Sequence, residues 1–496
     1  MRSIHVNTGR EALPYLAGPR QRAAIDDLLS CYSPLMGPTR RAGTYLGSTG
    51  PFHIFPGHAD FLDLDHYLSR VFGMPSLDTG VQKNLFGGGK GYGLPDMFLS
   101  SLGETVERVA GALAMVDSSR YAVTTARDLR RRHLTCLGQD EVWLFAPDQY
   151  GQPGFQYEPF TDTTTLTWIR GNRLVAGDEV WVPAQLVDLL HPSHPDEVPI
   201  GYSVTGGLSC HVSTEDALFH AITEVLERDA MNLRWYAGVA PERLEVDVTP
   251  RLSRTRTLLD ELAHLPGAVH TYHHNADFFE VPTLTTVGVS PWLTHYSYAA
   301  GGGADTSTER CLLKSLGEYG QSSVTLRFGL MSPDRRVGEA VARIFDMTAD
   351  ADLQKIELFF QLLGYYGHVE NHGKLQWYLH GGATIQLSEL RGRTDTTGVL
   401  GDDHAPAAAK LPHLVRLLHG RGIDPIVFDF TPPGLASLRV VKVYMPEFTM
   451  PFLPSRPVLG HPRFAEARRM LGAADAPPPS GVSFVDGLVR DPLPYP

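Results

Sequence analysis

Paired cysteines and long apolar runs are both missing from the sequence. Its four cysteines, Cys31, Cys136, Cys210 and Cys311, lie far apart and form no CxxC pair. We therefore expect neither a disulfide framework nor a zinc finger, and the cysteine usage fits a reducing compartment. The first 18 residues contain no long apolar run, and no stretch approaches the roughly 20 apolar residues of a membrane span. These absences predict a cytoplasmic protein without a signal peptide or a membrane helix.

An excess of basic residues is also lacking. The 496 residues include 43 Lys and Arg against 55 Asp and Glu, which gives a net charge of −12. This balance argues against a nucleic-acid partner, which usually meets a basic face, and it suits a site that collects cations. The spacing GxxxxGK[ST] of a P-loop and the GxSxG of a nucleophile elbow do not occur, so neither of those sites is expected.

Short β-branched and aromatic runs bounded by Gly, Pro and Asp predict strands along much of the chain. The predicted strands fall within 141–147, 164–171, 178–187, 281–290, 295–303, 424–431 and 438–446, and a helix is predicted within 412–422. Helices packed on mixed sheets make the predicted fold class α+β. The length favours several packed units, which we place at 1–80 (an N-terminal lobe), 81–345 (the core) and 346–496 (a C-terminal α/β unit with a Pro-rich tail).

An imperfect internal repeat is the most informative feature of the sequence. Three times a Gly-rich turn leads into an amphipathic helix that has apolar residues on one side and acidic residues on the other. The first helix is predicted to begin near Asp96, and the second follows Ser213, whose hydroxyl can cap it. The polar faces of the three helices carry Glu104, Glu107 and Arg108; Glu224, Glu227 and Arg228; and Lys314, Glu318 and Gln321.

Carboxylates three residues apart on a helix are neighbours and repel each other. Such a stripe is suited to Mg²⁺, which prefers oxygen ligands and bridges carboxylates to phosphates. The arginines beside the stripes either neutralise the acids or bind phosphate oxygens. A single ExxER motif is most often a solvated helix face with an internal Glu–Arg pair. Two such motifs, each after a Gly-rich turn and followed by a third variant, favour a site.

Two other features have a functional and a structural interpretation. The glycine-rich run at 87–93 either cradles phosphate through backbone N–H groups or forms a flexible turn. The histidines at 270, 273 and 274 have no paired carboxylate nearby in sequence, and those at 191 and 194 flank Pro192 in a predicted loop. We interpret all five as satisfied or exposed side chains and not as metal ligands.

The final residues, 491–496, alternate with proline. Proline restricts φ, so this stretch is predicted to be an extended, pre-organised arm. The alternative is an ordinary frayed terminus.

In this order, these motifs resemble the YcaO family over residues 80 to 496. Its GKG turn and SxxExxER helix are matched by Lys90, Gly91, Ser101, Glu104, Glu107 and Arg108. Its SNGLAAG and ExxERD blocks are matched by Thr205–His211 and by Glu224, Glu227, Arg228 and Asp229. Its ExxQ and PxPxP motifs are matched by Glu318, Gln321, Pro492, Pro494 and Pro496.

The resemblance implies a fold with a non-Walker ATP site and an azoline-forming peptide cyclodehydratase. Such enzymes cyclise Cys, Ser or Thr of a ribosomally made precursor peptide onto the preceding amide, whose oxygen is phosphorylated by ATP. The implied Mg²⁺ ligands are Glu104, Glu107, Glu224 and Glu227. The implied nucleotide contacts are Lys90, Ser101, Arg108, Arg228, Lys314, Glu318 and Gln321. The carboxylate of Pro496 is implied in proton transfer.

The sequence departs from the family pattern at Gly206, where the family has asparagine, at His211, where it has glycine, and at Lys314, where it often has arginine. Since no ubiquitin-activating-like domain with zinc-binding CxxC pairs is present, we expect a separate leader-peptide-binding partner protein. A homodimer remains open. The alternative functions are thioamide formation with sulfide and a non-catalytic scaffold, and the intact acidic pairs argue against the scaffold.

Overall fold

Strands and helices alternate along the chain, and most strands belong to three sheets. The computed structural model describes residues 19–33, 37–44, 54–61, 87–114, 117–191, 194–265, 267–294, 296–331, 348–353, 356, 359–395 and 398–495. The helices of eight or more residues are α1 (Pro19–Ser30), α2 (Leu94–Leu113), α4 (Thr214–Tyr236), α5 (Ser253–Ala263), α6 (Thr308–Met331), α7 (Phe359–Gly367), α9 (Leu387–Thr394), α10 (Ala407–Gly420) and α11 (Pro462–Met470), and the shorter ones are α3 (Ala126–Arg131) and α8 (Gln376–His380).

The first sheet is a small antiparallel one of order β1-β2-β3. The second has the order β4-β5-β13-β14-β7 with β6 paired to β5, and the third has the order β11-β10-β9-β8-β12, in which only the β12–β8 pair is parallel. The strands are β1 (Thr39–Thr44), β2 (Phe55–Phe61), β3 (Gly87–Gly91), β4 (Tyr121–Thr124), β5 (Leu166–Arg173), β6 (Glu179–Pro183), β7 (Leu208–His211), β8 (Glu242–Glu245), β9 (Ala268–His273), β10 (Thr283–Val289), β11 (Tyr298–Ala304), β12 (Thr384–Gln386), β13 (Ile426–Asp429) and β14 (Arg439–Tyr444), and β15 (Phe484–Val485) and β16 (Leu488–Val489) form a separate hairpin.

Helix α4 is the central element, packed between the second and third sheets. The Ser213 hydroxyl accepts a hydrogen bond from the Asp216 N–H, which caps the helix as predicted. Two acids in the first turn suit the positive end of the helix dipole. Most side chains beyond the first turn are buried, including Glu227 and Asp229, so this helix carries charged groups into the interior of the molecule.

Glycines in β11 allow helices to approach both faces of the third sheet. A Cβ on Gly301 would lie 2.0 Å from the Tyr319 backbone N, and a Cβ on Gly303 would lie 2.7 Å from the Lys314 Cβ. Both neighbours are on α6. A Cβ on Gly302 would lie 2.9 Å from Glu227 Oε1 of α4 on the opposite face. Side chains at these positions would therefore push both helices away from the sheet.

The glycine-rich run that was expected to be a loop is instead strand β3. Its glycines let α2 pack against the strand backbone, because a Cβ on Gly89 would lie 2.2 Å from Ser101 Oγ and one on Gly87 would lie 2.3 Å from Thr105 Oγ1. The physical role of this glycine pattern is close packing, which the sequence reading of a phosphate loop or flexible turn did not anticipate.

The predicted α+β class is confirmed, as are the strands within 164–171, 178–187, 281–290, 295–303, 424–431 and 438–446 and the helix within 412–422. The strand predicted within 141–147 is wrong. This segment is irregular, and its polar groups bond individually, with Ala146 N–H donating to Gln149 and Gly460 N–H donating to Leu144 O.

The boundaries proposed at residues 80 and 345 lie outside the described residues and stay predictions. The strands of the predicted C-terminal unit nevertheless enter both large sheets of the core, through β12, β13 and β14. Among the described helices, none combines the length and apolar character that a membrane crossing requires.

The histidines that we interpreted as structural have local partners or are exposed. His191 Nε2 lies 2.8 Å from Glu197 Oε2, and His273 Nδ1 lies 2.8 Å from Glu242 Oε2. His274 Nε2 lies 2.7 Å from Thr285 Oγ1, while His194 is exposed. Burial by itself disfavours a charged imidazole at His191, but its bonds to acidic neighbours outweigh this effect and raise its pKa to about 9.

The tail at 491–495 is buried and makes hydrogen bonds with the core, so the alternative of a frayed terminus does not hold for these residues. Asp491 is 2% exposed and its carbonyl accepts from Trp235 Nε1 at 2.8 Å, while the Pro494 carbonyl accepts from Tyr298 OH at 2.5 Å. Thr285 Oγ1 donates to Tyr495 OH at 2.9 Å. Pro496 lies outside the described residues.

We expect Gly301→Ala to lower the free energy of unfolding by about 1–3 kcal/mol, because the added methyl group meets the α6 backbone. The matched control is Gly392→Ala in α9, where nothing lies within 4 Å of the added Cβ. The control should be neutral or stabilising by about 0.5–1 kcal/mol. Urea unfolding followed by circular dichroism measures both, and equal stability of the two variants would contradict the proposed close packing.

Candidate active site

The acidic helix faces predicted from sequence meet at one cavity of about 720 Å³. Helices α2, α4 and α6, strand β7 and the end of β3 form its walls. The carboxylates that line it are Glu104, Glu107, Glu224, Glu227 and Glu318, and the cations are Lys90, Arg108, Arg228 and Lys314. The cavity therefore brings together all four predicted metal ligands and all four predicted phosphate-binding cations.

Backbone N–H groups fix the orientation of three of these carboxylates. Glu107 accepts from Cys210 N–H at 2.9 Å, Glu224 from Gly207 N–H at 3.1 Å, and Glu318 from Gly302 N–H at 3.0 Å. Gly207 has φ of +76°, a left-handed conformation that favours glycine. In Glu107 and Glu224 the bond uses one carboxylate oxygen and leaves the other available to a ligand.

The cations bind the acids and backbone around them. Arg108 pairs with Glu104 one turn away at 2.5 Å, and Lys90 Nζ pairs with Glu318 Oε1 at 2.8 Å. The guanidinium Nε of Arg108 is buried and has no hydrogen-bond partner among the residues that the structure describes. An unsatisfied buried donor costs free energy, so this atom marks a place where an anionic ligand would be favourable.

Lys314 is held differently, at the edge of the cavity. Its Nζ donates to the Ala304 carbonyl at 2.8 Å and lies 3.2 Å from Asp305 Oδ2. Asp305 also lies 3.1 Å from Lys410 Nζ and 3.6 Å from Arg310 Nε. Three cations around one carboxylate leave this corner of the site with an excess of positive charge.

Burial makes ionisation of the glutamate side chains in the cavity unfavourable. Burial, followed by repulsion from Glu104 and Glu224, raises the pKa of Glu107. Burial also raises the pKa of Glu227 to about 7, and repulsion from Glu318 adds to this effect. A divalent cation between the stripes would replace this repulsion with attraction and keep the carboxylates charged.

The carboxylates do not form an all-protein metal cage. Across the described parts of the chain, no three His, Cys, Asp or Glu side chains are grouped so that they could hold a metal ion by themselves. Mg²⁺ typically takes one or two carboxylates together with substrate phosphates and water. The arrangement therefore fits Mg²⁺ that arrives with a nucleotide.

Two of the predicted contacts lie elsewhere. Ser101 is fully buried against β3 and its hydroxyl donates to the Met97 carbonyl at 2.9 Å, so it cannot reach the cavity, whose wall carries Ser100 instead. Gln321 does not line the cavity, and its Nε2 donates to the Gly89 carbonyl at 3.2 Å. Both side chains hold β3 against helices, which is a different role from the nucleotide contact expected of them. The remaining predicted site residue, Pro496, lies outside the described residues.

Sequence reasoning missed Lys442, which lies under the loop before β7. Its buried Nζ donates to the carbonyls of Val204 and Gly206 at 2.7 and 2.6 Å. Burial lowers its pKa to about 8, against the attraction of nearby Glu224. A charged residue inside the apolar strand VVKVY was the available signal, because buried lysines are rare unless they are paired.

A pair of histidines in the cavity wall was also missed. The rings of His211 on β7 and His220 on α4 are stacked, with centroids 4.3 Å apart and planes at 8°. Burial lowers the pKa of His211 to about 4 and lowers that of His220 as well, so both rings are neutral near pH 7. Within the described residues neither ring has a hydrogen-bond partner. Stacked aromatic rings from a strand and a helix could not be paired from sequence spacing.

Comparison with known proteins places this architecture in a family. The family model described as an ATP- and Mg²⁺-binding YcaO cyclodehydratase matches residues 88–449. An uncharacterized protein of Methanothermobacter thermautotrophicus is 30% identical over 163 residues, which are 32% of this chain and 42% of that protein.

Solved structures share the fold at low identity. A heterocyclase in complex with substrate and cofactor has a TM-score of 0.66 and 17% identity, and the match covers 97% of this chain and 57% of the heterocyclase. YcaO from Methanopyrus kandleri bound with AMPPCP and Mg²⁺ has a TM-score of 0.51 and 20% identity, with 83% of this chain and 86% of the other covered. The E. coli microcin synthetase McbBCD complex has a TM-score of 0.52 and 15% identity, with 84% and 90% covered.

We expect Glu104→Gln and Glu227→Gln each to abolish Mg²⁺-dependent ATP binding without lowering the melting temperature, because glutamine keeps the volume but removes a buried charge. In the wild type, Mg²⁺ alone should bind weakly and ATP should bind only together with Mg²⁺. Titration calorimetry measures the affinities, and Glu466→Gln, at an exposed position of α11, is the matched control. Wild-type MgATP affinity in either cavity variant would show that the acidic pairs are structural.

Proposed function

This chain belongs to the YcaO family, and from that premise we propose that it is an ATP-dependent cyclodehydratase that forms azolines in a ribosomally made precursor peptide. The family is described as binding ATP and Mg²⁺, as predicted from the motifs. The observation that carries the proposal is the single cavity in which four glutamates on α2 and α4 face four cations. A scaffold has no need to keep these charges, since burying them costs free energy.

The proposed reaction joins a side chain to the preceding backbone amide. The hydroxyl or thiol of Ser, Thr or Cys attacks the amide carbon, and the amide oxygen takes the γ-phosphoryl group of ATP, releasing ADP. The nitrogen then forms a C=N bond as the oxygen leaves in inorganic phosphate, and the protons of the nucleophile and the amide pass to bases or water. The peptide thereby loses the elements of one water per ring.

The cavity residues have roles that follow from their charge. Bound Mg²⁺ would neutralise the charge on the phosphates, and Glu104, Glu107, Glu224 and Glu227 are the proposed ligands. Arg108 and Arg228 are proposed to release their acidic neighbours and orient phosphate oxygens, while Lys90 and Lys314 add positive charge to the cavity wall. Glu318 is proposed as a positioning residue, since it binds both Lys90 and the Gly302 N–H.

We propose that a separate protein binds the leader of the precursor. The chain spans 57% of the heterocyclase structure that it resembles, and its sequence contains no CxxC pair of a zinc-binding ubiquitin-activating-like domain. A distinct leader-binding partner would supply affinity for the precursor, and this chain would supply the chemistry.

The direct test begins with the reading frames beside the gene of this chain, where the proposal predicts a short Cys- and Ser-rich peptide and a leader-binding protein. These two products are then combined with this chain. We expect ATP-dependent loss of one water per ring by mass spectrometry, and no loss with Glu227→Gln. A gain in mass from exchange of oxygen for sulfur would indicate thioamide formation instead. ATP-independent modification, or none, would contradict the proposal.

We further propose that the carboxylate of Pro496 takes part in proton transfer, supported by the docking of the residues before it. Tyr495 is 1% exposed and bonds to Thr285, which pairs across the sheet with Gly302, whose N–H donates to Glu318 in the cavity. The arm therefore ends next to the sheet that forms one wall of the site. A carboxylate acts as a base only within about 3 Å of the proton or through one water.

Adding one Gly after Pro496 would move the carboxylate by roughly 3.5 Å while leaving the buried arm intact. We expect ring formation to fall by roughly tenfold or more, with MgATP affinity and melting temperature unchanged. Mass spectrometry and calorimetry measure these quantities. Undiminished water loss would remove Pro496 from the mechanism and leave the arm a purely structural role.

A further inference from the structure

A second cavity, of about 450 Å³, lies end to end with the candidate active site. It is bounded by the first residues of α1, the start of α4 and the segment before β14, and it is lined by Pro19, Arg20, Ala23, Val212, Ser213, Thr214, Ala436, Ser437 and Arg439. Val212 lines both this outer cavity and the active-site cavity. The two cavities therefore adjoin at Val212, and we refer to the pair as the groove.

Helix α1 and the segment at 436–439 form a common wall along this groove. Asp27 of α1 accepts a hydrogen bond from Ser437 N–H at 2.6 Å, which joins the two elements. On the inner side of this junction, Leu28 and Leu438 line the active-site cavity. On the outer side, the lining side chains between the arginines and Val212 are short, which leaves width for a main chain.

The inner end of the groove presents groups suited to a peptide. His211 immediately precedes Val212, and its ring is stacked on His220 in the wall of the active-site cavity. Among the residues that the structure describes, these neutral rings have no hydrogen-bond partner, so their nitrogens can donate to a carbonyl or accept from an amide. Glu224 follows one turn after His220 on α4, which places the acidic stripe next along the path.

The outer end of the groove carries positive charge. Arg20 is exposed and has no acidic partner in the described part of the chain. Arg439 donates to the carbonyls of Ala436 and Leu438, which leaves its charge without a neutralising carboxylate among the same residues. On a chain with a net charge of −12, this end would attract a negatively charged segment.

We propose that this groove is the entry path of the substrate peptide, which lies in it as an extended segment with acidic residues near Arg20 and Arg439 and its reacting amide beyond the His211–His220 pair. The proposal rests on the proposed function for the identity of the peptide. It adds the route by which the peptide reaches the acidic stripes and the side chains that line that route.

The first test blocks the groove at two independent positions, with Ala23→Trp on α1 and Ala436→Trp in the segment before β14, both in the outer cavity. We expect each variant to raise the KM for the precursor peptide by roughly tenfold or more, because an indole would fill the path, while the Kd for MgATP is unchanged. Ala408→Trp, at an exposed position of α10, is the matched control and should behave as the wild type.

The second test concerns charge at the outer end. Arg20→Glu should weaken binding of a fluorescein-labelled precursor roughly threefold or more at low salt, and the difference should vanish near 1 M salt, where the Debye length is about 3 Å. Wild-type affinity at low salt, or a loss that salt does not change, would overturn the acidic character assigned to the peptide.

Binding of the labelled precursor, measured by fluorescence anisotropy with a non-hydrolysable ATP analogue, separates the two proposals. If the wild type forms no ring but Ala23→Trp and Ala436→Trp still weaken peptide binding, the reaction class fails and the groove stands. The entry path is overturned if both variants bind and process the peptide normally. Loss of MgATP affinity along with peptide affinity would also overturn it, because the groove would then belong to the nucleotide site. The same holds if the variants only lower the melting temperature, because the groove would then be filled by this chain's own residues.

Discussion

Repulsion between buried carboxylates is the constraint on which this site depends. Glu107 has Glu104 and Glu224 as acidic neighbours, and Glu227 has Glu224 and Glu318, all lining one cavity. A fold can keep such a group only if other interactions offset the cost. Here backbone N–H groups, Arg108 and Lys90 offset part of this cost, and a bound cation would offset the rest.

The fold meets this constraint by packing three helices closely against glycine-rich strands. Glycines at 301–303 allow α4 and α6 to approach opposite faces of the same strand, so that Glu227 and Glu318 lie on either side of Gly302. Gly207 in its left-handed conformation turns a backbone N–H toward Glu224. The spacing of the charges is therefore set by backbone geometry and not by the reach of flexible side chains.

The sequence predicted the parts of the site that follow from helical periodicity. The four glutamates, Arg108, Arg228 and Lys314 recur at helical spacing after Gly-rich segments, and such a pattern can be recognised without knowledge of tertiary structure. The α+β class followed from apolar runs that are bounded by turn residues. The glycine run at 87–91 was misread because a strand packed tightly under a helix and a phosphate loop both require glycine.

Other features depend on contacts between distant segments, which no local pattern encodes. Ser101 occupies the right place in the motif, but its side chain points at β3, one residue away from Ser100 on the cavity wall. The stacking of His211 on His220 requires the junction of a strand and a helix, and Lys442 reaches the site from the far side of a sheet. Sequence spacing fixes which side of one helix a residue occupies, whereas the identity of its neighbour is a property of the whole fold.

The buried arm has a consequence for biosynthesis. Asp491 and Tyr495 complete the interior between α4 and the third sheet, where Trp235, Tyr298 and Thr285 bond to this arm. During synthesis, Trp235, Tyr298 and Thr285 are made long before the arm that forms hydrogen bonds with them. Until the arm is made, these bonds are missing and the core is incomplete. A chain truncated before residue 491 would leave these polar groups facing a gap in the core, which would make the folded interior less stable.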